Sequence, residues 1–309
     1  MEVSTSFVAP GTYLISITDW VSTELCCVYV IVGKELAIVE TGPAILAEGI
    51  VEGLRQLGFE PHRLAKVIVT HIHMDHAGGA GTLARRLPEV QVLVQERGAR
   101  HLVDPSALVA GTRQVFGDDF ARFFGPIEPV PAGQVRALKD GELIDLGRGH
   151  TLEVMHTPGH APHHLCLYDR GNKVLYCGEA LGHYYPAHDA VAPSAAPPSF
   201  DLQATIADIR RMQAMDISAL LFSQTGVSRN PARALDLALR QAKDFDVIVR
   251  QALAERAGLQ EIRHRLDDYG ERNCGFDDRA TARAALRGTC GANAEAFIGY
   301  LQRIAAKGK

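Results

Sequence analysis

The stretch THIHMDHAGG, residues 70–79, gathers three histidines and one aspartate within six consecutive positions. The segment before it, AKVIVT at 65–70, has the pattern of a short apolar strand that is covered on both faces. The pair Gly78-Gly79 allows the chain to turn without steric penalty, and GGAGTLARRL then predicts a helix. A buried strand therefore leads directly into a turn that is rich in metal-ligating side chains.

The spacing of these side chains predicts a metal site. In an extended segment, residues i and i+2 point to the same side, so His71 and His73 can offer two imidazoles to one ion. Ile72 then points the other way, into the core. Asp75 and His76 are adjacent and diverge, which lets them reach a second position nearby. Imidazole nitrogen and carboxylate oxygen suit zinc, and also iron(II) or manganese(II).

Strand and helix patterns alternate on both sides of this motif. Strands are predicted at YLISI, CCVYVIV and LAIVET, and a helix at ILAEGIVEGLRQLG. Further predictions are strands at VQVLV, ALLFS, 134–138, 142–146, 151–156, 164–168 and 173–177, a loop at 186–199 and a helix at 201–215. From Pro231 onward almost every segment has helical periodicity. The predicted organisation is a core at 1–229 and an all-helical extension at 230–309.

Composition argues against two classes of partner. Of the 309 residues, 47% are hydrophobic and 22% are charged, and the formal net charge is −4. The chain contains no long basic run, so nucleic acid is not an expected partner. No stretch approaches the roughly 18 consecutive apolar residues of a membrane span, so no membrane partner is expected.

The cysteines and the N-terminal segment predict a cytoplasmic protein. Six cysteines show no CxxC spacing, and four of them lie in apolar, strand-like runs; they are residues 26, 27, 166, 177, 274 and 290. Buried, reduced thiols are the prediction from this pattern. Residues 1–17 lack a basic region followed by an apolar run, so we expect no secretory signal.

The motif HxHxDH at 71–76 resembles the metal-binding signature of the metallo-β-lactamase superfamily. AIVETG at 37–42 resembles that family's early strand and turn, which usually ends in Asp-Thr-Gly. TPGH at 157–160 and LYCGEALG at 175–182 resemble the segments that carry the next metal-binding histidine and the bridging carboxylate. The resemblance covers about residues 10–226. It implies an α/β fold, the four-layer αββα sandwich of that superfamily, to which the helical extension is added.

The resemblance also implies a set of ligands. His71, His73 and His160 would form the first metal site, and Asp75 and His76 would belong to the second. His160 is assigned because it ends the TPGH segment, although residues 156, 163 and 164 are histidines as well. Of these, 156 and 164 are interpreted as supporting or packing residues. The implied cofactor is zinc, one or two ions per chain, with iron or manganese as alternatives.

Two positions of the second site depart from the family pattern. Glu179 stands where an aspartate usually bridges the metals, and it could still bridge or bind one metal. After ALLFS the family has a histidine, whereas this chain has Gln224 and Thr225, and neither is a good zinc ligand. Three outcomes stay open: one bound metal, two metals with a water or with His183 or His188 completing the second site, or an empty second site.

Hydrolysis is the chemistry that the resemblance implies. A metal-activated water attacks an electrophilic carbonyl or phosphorus, and Asp75 orients that water and takes its proton. The negative net charge argues against a nuclease, and the absence of a predicted secretory signal argues against a periplasmic β-lactamase. The flavin-linked members of the family have Glu at the position of His73, so this chain does not match them. The predicted substrate is therefore a small ester, lactone or thioester. The alternative is a ligand-binding or regulatory protein with little or no turnover, which Glu179 and the missing histidine favour.

Two further predictions concern the surroundings of the site. Tyr184 and Tyr185, with Gln224, are predicted to bind substrate, and a packing role for the tyrosines is the alternative. The helical extension would cover the cleft, or else cover the core or form a homodimer.

Overall fold

A computed structural model describes residues 1–18, 26–286 and 289–307. The side chain of Cys290, one of the six predicted buried thiols, lies outside the described residues. The other five cysteines are buried. No helix in the described ranges is both long and apolar enough to cross a membrane.

The secondary structure of the described residues alternates between strands and helices before it becomes purely helical. The strands are β1 (Glu2–Ala9), β2 (Thr12–Thr18), β3 (Cys26–Val32), β4 (Leu36–Val39), β5 (Leu64–Ile68), β6 (Gln91–Gln95), β7 (Val135–Leu138), β8 (Leu143–Gly147), β9 (His150–His156), β10 (Leu165–Asp169), β11 (Val174–Gly178), β12 (His183–Tyr185), β13 (Ala190–Ala192), β14 (Ala219–Phe222) and β15 (Val227–Ser228). The helices are α1 (Ala47–Gln56), α2 (Met74–Ala77), α3 (Ala80–Arg86), α4 (Glu96–Val103), α5 (Ser106–Phe116), α6 (Phe120–Phe124), α7 (Leu202–Gln213), α8 (Pro231–Ala254), α9 (Leu259–Asn273), α10 (Arg279–Ala285) and α11 (Thr289–Lys307).

Most of these elements follow the sequence patterns closely. Strands β7 to β11 each begin and end within one residue of their predicted limits. The loop prediction at 186–199 is wrong at residues 190–192, which form β13 and pair with β12. Three residues are too few for a recognisable alternation, and the strand is held by tertiary contacts: the amide of Val191 donates to the carbonyl oxygen of Cys274.

The chain divides into two compact units, Met1–His156 with Leu165–Tyr176 and Ser223–Thr225, and Thr157–His164 with Cys177–Phe222 and Gly226–Lys309. The C-terminal region is helical, as predicted, from α8 onward. The domain limits 1–229 and 230–309 stay a prediction.

The first unit is built on two sheets. A seven-stranded sheet has the order β1 to β7, antiparallel from β1 to β4 and parallel from β4 to β7. Strands β8 to β11 pair in antiparallel order. The rings of Tyr29 on β3 and Tyr176 on β11 meet edge to face at 5.5 Å, and both are buried. Strands β2 to β6 pack with α1 and α3 into one apolar core, so the C-terminal end of β5 is held firmly where the histidine motif begins.

The second unit combines short strands with the C-terminal helices. Strands β12 and β13 form one hairpin, and β14 and β15 form another. Helices α8, α9 and α11 share a core with the segment before α7, in which aromatic rings are central. Phe245 and Phe297 are 0% and 1% exposed, and their ring centroids lie 5.8 Å apart.

Replacing Phe245 by alanine should destabilise the protein. The substitution removes a fully buried ring and leaves a cavity, which costs about 3–5 kcal/mol in the free energy of unfolding. Urea denaturation measures this loss. Val247→Ala on the same helix is the control, because Val247 is 61% exposed and its truncation should change stability by no more than about 0.5 kcal/mol. Equal losses for both variants would contradict this view of the core.

Candidate metal centre

Two imidazoles converge immediately after β5. Nε2 of His71 lies 3.0 Å from Nδ1 of His73. Nδ1 of His71 is engaged by the hydroxyl of Thr70 at 3.0 Å, so Nε2 is the nitrogen that His71 directs at its neighbour. Ile72 between them is 1% exposed and belongs to the core, as the period of an extended segment predicts. The two nitrogens are therefore placed to share one cation.

A buried carboxylate, which sequence reasoning did not single out, holds the loop after β5 in place. Oε1 of Glu40 accepts a hydrogen bond from the amide of Thr70 at 3.0 Å, and Oε2 is 3.0 Å from Nδ1 of His76. Glu40 is 1% exposed and has a φ of 75°, which is uncommon for a residue other than glycine. A buried glutamate at the end of an apolar strand is the signal that would have identified it.

The two residues after Glu40 add main-chain contacts to the same loop. The amide and the hydroxyl of Thr41 both donate to the carbonyl oxygen of His76, at 3.0 and 2.8 Å. The amide of Gly79 donates to the carbonyl oxygen of Gly42 at 3.0 Å. The ETG turn at 40–42 therefore fixes both ends of the segment that carries Asp75 and His76.

The two glycines of the motif are needed for a reason other than the predicted turn. Gly78 has a φ of −59° and Gly79 a φ of −79°, so both have ordinary helical conformation. A Cβ on Gly78 would lie 3.1 Å from Cα of Pro43, and a Cβ on Gly79 would lie 3.1 Å from the carbonyl oxygen of Thr41. The glycines therefore allow this backbone to approach the backbone of residues 41–43 closely. They are not required by an unusual φ angle.

Asp75 contacts Gln224 and His76 within the first unit. Its Oδ2 accepts a hydrogen bond from Nε2 of Gln224 at 3.0 Å and lies 3.4 Å from Nε2 of His76. The Asp75 side chain is 42% exposed, whereas that of His76 is 1% exposed. Gln224 thus stands beside Asp75 and gives it a neutral hydrogen-bond donor where the family pattern has an imidazole. Thr225 has a φ of 70°, and its hydroxyl donates to the carbonyl oxygen of Gln224 at 2.6 Å.

The second unit brings His160 and Glu179 together. Nδ1 of His160 donates to the carbonyl oxygen of Ser194 at 3.0 Å, and its Nε2 lies 3.0 Å from Oε2 of Glu179. The other carboxylate oxygen of Glu179 accepts from the hydroxyl of Ser194 at 2.9 Å and lies 2.7 Å from Nε2 of His183. His160 and Glu179 are 3% and 6% exposed.

His164 supports the backbone at Glu179. The amide of Glu179 donates to Nε2 of His164 at 3.1 Å, and Nδ1 of His164 lies 2.7 Å from the hydroxyl of Thr157. Because Nε2 accepts, the proton of the neutral ring is on Nδ1 and is directed at Thr157. This contact agrees with the interpretation of His164 as a supporting residue. His156 is half-buried on β9, and its amide donates to Asp140 at 2.8 Å.

The remaining candidates of the second unit have other contacts. His188 is paired with Asp277 at 2.6 Å, whereas His183 contacts Glu179. The Tyr184 ring stacks on the ring of Phe222, with centroids 5.2 Å apart, and its hydroxyl donates to Asp189 at 3.0 Å. Burial raises the pKa of the Tyr184 phenol, which keeps it a donor. The hydroxyl of Tyr185 donates to a main-chain oxygen on α10 at 3.1 Å. Substrate binding by the tyrosines stays a prediction.

The donor chemistry fits a divalent transition metal. Each of three histidines has one ring nitrogen in contact with a protein oxygen, as is usual for metal-binding histidines. The partner of His71 is Thr70, that of His76 is Glu40, and that of His160 is the Ser194 carbonyl. When neutral, His76 and His160 then present a lone pair to a carboxylate oxygen, at 3.4 and 3.0 Å. Two electron-rich atoms facing each other are stabilised by a shared cation.

A family model for the metallo-beta-lactamase superfamily matches residues 24–224, which is most of the chain. The chain belongs to the metallo-β-lactamase superfamily. The crystal structure of a metallo-beta-lactamase family protein from Thermus thermophilus has the same fold, with a TM-score of 0.71, 21% identity and coverage of 96% of this chain and 95% of that one. The predicted α/β sandwich of this superfamily, with its helical C-terminal region, is therefore confirmed.

Two curated relatives of the chain have hydrolase names. The chain is 30% identical over 136 residues to a hydroxyacylglutathione hydrolase of Aeromonas hydrophila, which is 44% of this chain and 39% of that protein. It is 32% identical over 130 residues to an acyl-coenzyme A thioesterase of Gallus gallus, which is 37% of this chain and 40% of that protein. The chain thus matches less than half the length of each.

Replacing Glu40 by glutamine tests the role of the buried carboxylate. Glutamine keeps the size but has an NH2 group in place of one oxygen, so it cannot offer one oxygen to Thr70 and another to His76. We expect about 10–100-fold weaker metal binding, measured by competition with a chelator. Glu52→Gln on the exposed side of α1 is the matched control and should bind metal normally. Unchanged affinity in the folded Glu40 variant would show that this carboxylate does not orient a metal ligand.

Proposed function

We propose that the protein is a metal-dependent hydrolase of a small ester, lactone or thioester. The observation that carries the proposal is the convergence of His71 and His73, whose nitrogens lie 3.0 Å apart within an intact HxHxDH motif. A site of this kind exists to hold a metal ion, and metal-assisted hydrolysis is the common chemistry of such sites.

The proposed ligands are those of the family pattern. His71, His73 and His160 hold the first ion, and Asp75, His76 and Glu179 contribute to a second position. The engaged ring nitrogens of His71, His76 and His160 support this assignment, because they fix which nitrogen is available as a ligand. Zinc is the proposed ion, one or two per chain, and iron and manganese are the alternatives that the same donors would accept.

Within the proposed substrate classes, a thioester has the strongest support. The names of both curated relatives describe hydrolysis of an acyl group carried on sulfur, glutathione in one and coenzyme A in the other. We further propose that the protein works in the cytoplasm on a small molecule, without nucleic acid or membrane as a partner; a homodimer is one assembly open to it.

The chemistry assigns one task to Asp75. Hydrolysis of a thioester adds the oxygen of one water to the carbonyl carbon, breaks the C–S bond and yields a carboxylate, a thiol and a proton. A divalent metal held by these residues would lower the pKa of a water and polarise the carbonyl. Asp75 orients the attacking water and accepts its proton. Its amide partner Gln224 is neutral, so it positions the carboxylate without supplying a competing charge.

The second candidate function is ligand binding with little or no turnover. The hydrogen bond from Gln224 to Asp75 favours it, because an amide occupies a carboxylate oxygen where an imidazole ligand is expected. Glu179 in place of aspartate favours it as well. Loss of one ligand or supporting contact lowers metal affinity or activity by about 10–100-fold.

Metal content and a substrate panel distinguish the two functions. The protein, purified without added metal, should contain a transition metal, and the metal-loaded protein should hydrolyse at least one of a panel of thioesters, lactones and esters. His71→Ala should lower both metal content and rate, the rate by about 100-fold or more. His62→Ala is the control, because His62 is exposed and on a separate turn. A chain that holds no transition metal even after metal is added would rule out the hydrolase; metal without any hydrolysis would support the second candidate.

A Gln224→His variant tests the altered second site. The imidazole adds a good ligand beside Asp75 and removes the amide that now binds it, so metal content per chain should rise. Gln224→Ala is the matched control, since it removes the amide without adding a ligand and should not raise metal content. If the histidine variant binds no more metal than the wild type, position 224 is not part of the second site.

A further inference from the structure

The helix that carries two of the proposed ligands is too short to be stable by itself. Helix α2 is one turn long, and Met74, its first residue, is followed directly by Asp75 and His76. Isolated helices of fewer than about 12 residues are marginal in water, so surrounding contacts must hold α2 in place. Glu40 and Thr41 hold the end at His76. The other end begins with Met74, whose side chain is buried.

Met74 belongs to an apolar cluster that is distinct from the large core of β2 to β6. Phe120 and Phe124 of α6 are its other buried members, and their ring centroids lie 5.4 Å apart. Among the residues that the structure describes, Met74 is the one member of the cluster that lies outside segment 108–127. The flexible thioether of methionine fills irregular spaces and makes favourable contacts with aromatic rings. Met74 therefore connects the histidine motif to α6. Partly buried side chains surround the cluster, namely Leu108, Val109, Phe123 and Ile127.

Helices α5 and α6, residues 106–124, are called the aromatic cap below. No residue of α5 is buried, and the buried residues of α6 are Phe120 and Phe124. Phe116 at the end of α5 packs its ring against that of Phe124, with centroids 4.9 Å apart. The burial within the cap is thus concentrated at the two rings that share a cluster with Met74, so this cluster is the main apolar contact between the cap and the histidine motif.

The burial of Met74 restricts the direction of Asp75. Successive side chains on an α-helix are about 100° apart around its axis, so Met74 and Asp75 face different ways. The Asp75 side chain is 42% exposed and meets Gln224 at 3.0 Å. Ala77, three residues after Met74, packs into the large core. A rotation of α2 that redirected Asp75 would therefore have to withdraw Met74 from the aromatic rings and Ala77 from the core.

We propose that Met74 is a positioning residue: its contact with the aromatic cap fixes the rotation of α2 and thereby the direction of the Asp75 carboxylate. The inference rests on the proposed function, in which Asp75 contributes to the second metal position and orients the attacking water. The cap then influences the metal centre without supplying a ligand. Its effect falls on Asp75 more than on His76, because Glu40 holds the His76 ring separately.

Replacing Met74 by alanine tests this contact through metal binding. The variant loses the side chain that reaches the two rings, so its affinity for zinc, measured by competition with a chelator, should fall about 10–100-fold. Met74→Leu keeps the volume and the apolar contact and should keep the wild-type affinity. Val115→Ala is the control on the cap, because Val115 is 79% exposed, and it should bind zinc normally. Wild-type affinity in Met74→Ala would overturn the proposal.

A second buried truncation separates positioning from general loss of stability. The carbonyl oxygen of Leu146 on β8 accepts from the amide of Lys34, which precedes β4, whereas Glu40 follows β4. Leu146 is buried, so Leu146→Ala should lower the urea midpoint as Met74→Ala does, but at the end of β4 that is remote from the histidine loop. It should keep the wild-type zinc affinity. Equal losses of affinity in the two variants would mean that metal binding follows stability alone, and the proposal would be wrong.

Hydrogen exchange in the metal-free protein separates this inference from the proposed function. The amides of Ala77 and Gly78 donate to carbonyl oxygens of the same helical turn, at 2.9 and 3.1 Å. In Met74→Ala their exchange, followed by NMR, should accelerate about tenfold or more relative to the amide of Val69, which is bonded to β6; Met74→Leu should behave like the wild type.

The two proposals can then fail independently. If the wild type binds no metal and hydrolyses nothing, but exchange at Ala77 and Gly78 changes as expected, the hydrolase proposal fails and the role of Met74 in holding α2 stands. If the wild type binds metal and hydrolyses a substrate, but Met74→Ala changes neither zinc affinity nor exchange, the role of Met74 fails alone.

Discussion

The buried carboxylate of Glu40 is the contact on which the histidine loop depends. It accepts from the amide of Thr70 at the start of the loop and lies 3.0 Å from Nδ1 of His76 near its end. Burial at 1% exposure means that this charge must be compensated by hydrogen bonds, and the loop provides them. These contacts hold the loop in the conformation in which His71 and His73 converge. The left-handed φ of Glu40 shows that the surrounding strands hold it against a local preference.

In the second unit, too, hydrogen bonds to buried groups fix the positions of proposed metal ligands. The segment around Ser194 fixes the ring of His160 through a main-chain oxygen and the carboxylate of Glu179 through its hydroxyl. Asn293 then ties this segment to α11 through hydrogen bonds to the main chain on either side of Ser194. The C-terminal helices thus do more than cover hydrophobic surface: they set the position of two proposed ligands. The family pattern in the sequence does not extend into these helices. Their role at the site is therefore evident only from the hydrogen bonds of Asn293 in the structure.

Gln224 and Glu179, the two departures from the family pattern, both change the contacts around the proposed metal ligands. Gln224 does not simply leave a gap where a histidine is expected; it donates to Asp75 at 3.0 Å and so changes the environment of the proposed proton acceptor. Glu179 has the additional methylene, and its two oxygens contact His160 on one side and Ser194 and His183 on the other. His183 is therefore a partner of the carboxylate, whereas His188 is paired with Asp277.

The sequence by itself predicted the family, the strands β2 to β11, the helical C-terminal region and the candidate ligands, because short-range patterns carry this information, whereas β1 was not predicted. The predicted limits of β7 to β11 lie within one residue of those in the structure, and the HxHxDH spacing places donors on one side of an extended segment. Only the tertiary structure decided the role of Glu40, the pairing of β12 with β13, the contact of Gln224 with Asp75 and the burial of Met74 against the aromatic cap. Apart from the β12–β13 hairpin, each of these joins residues that are far apart in the chain, and a buried contact between distant groups depends on a folded geometry that no local pattern specifies.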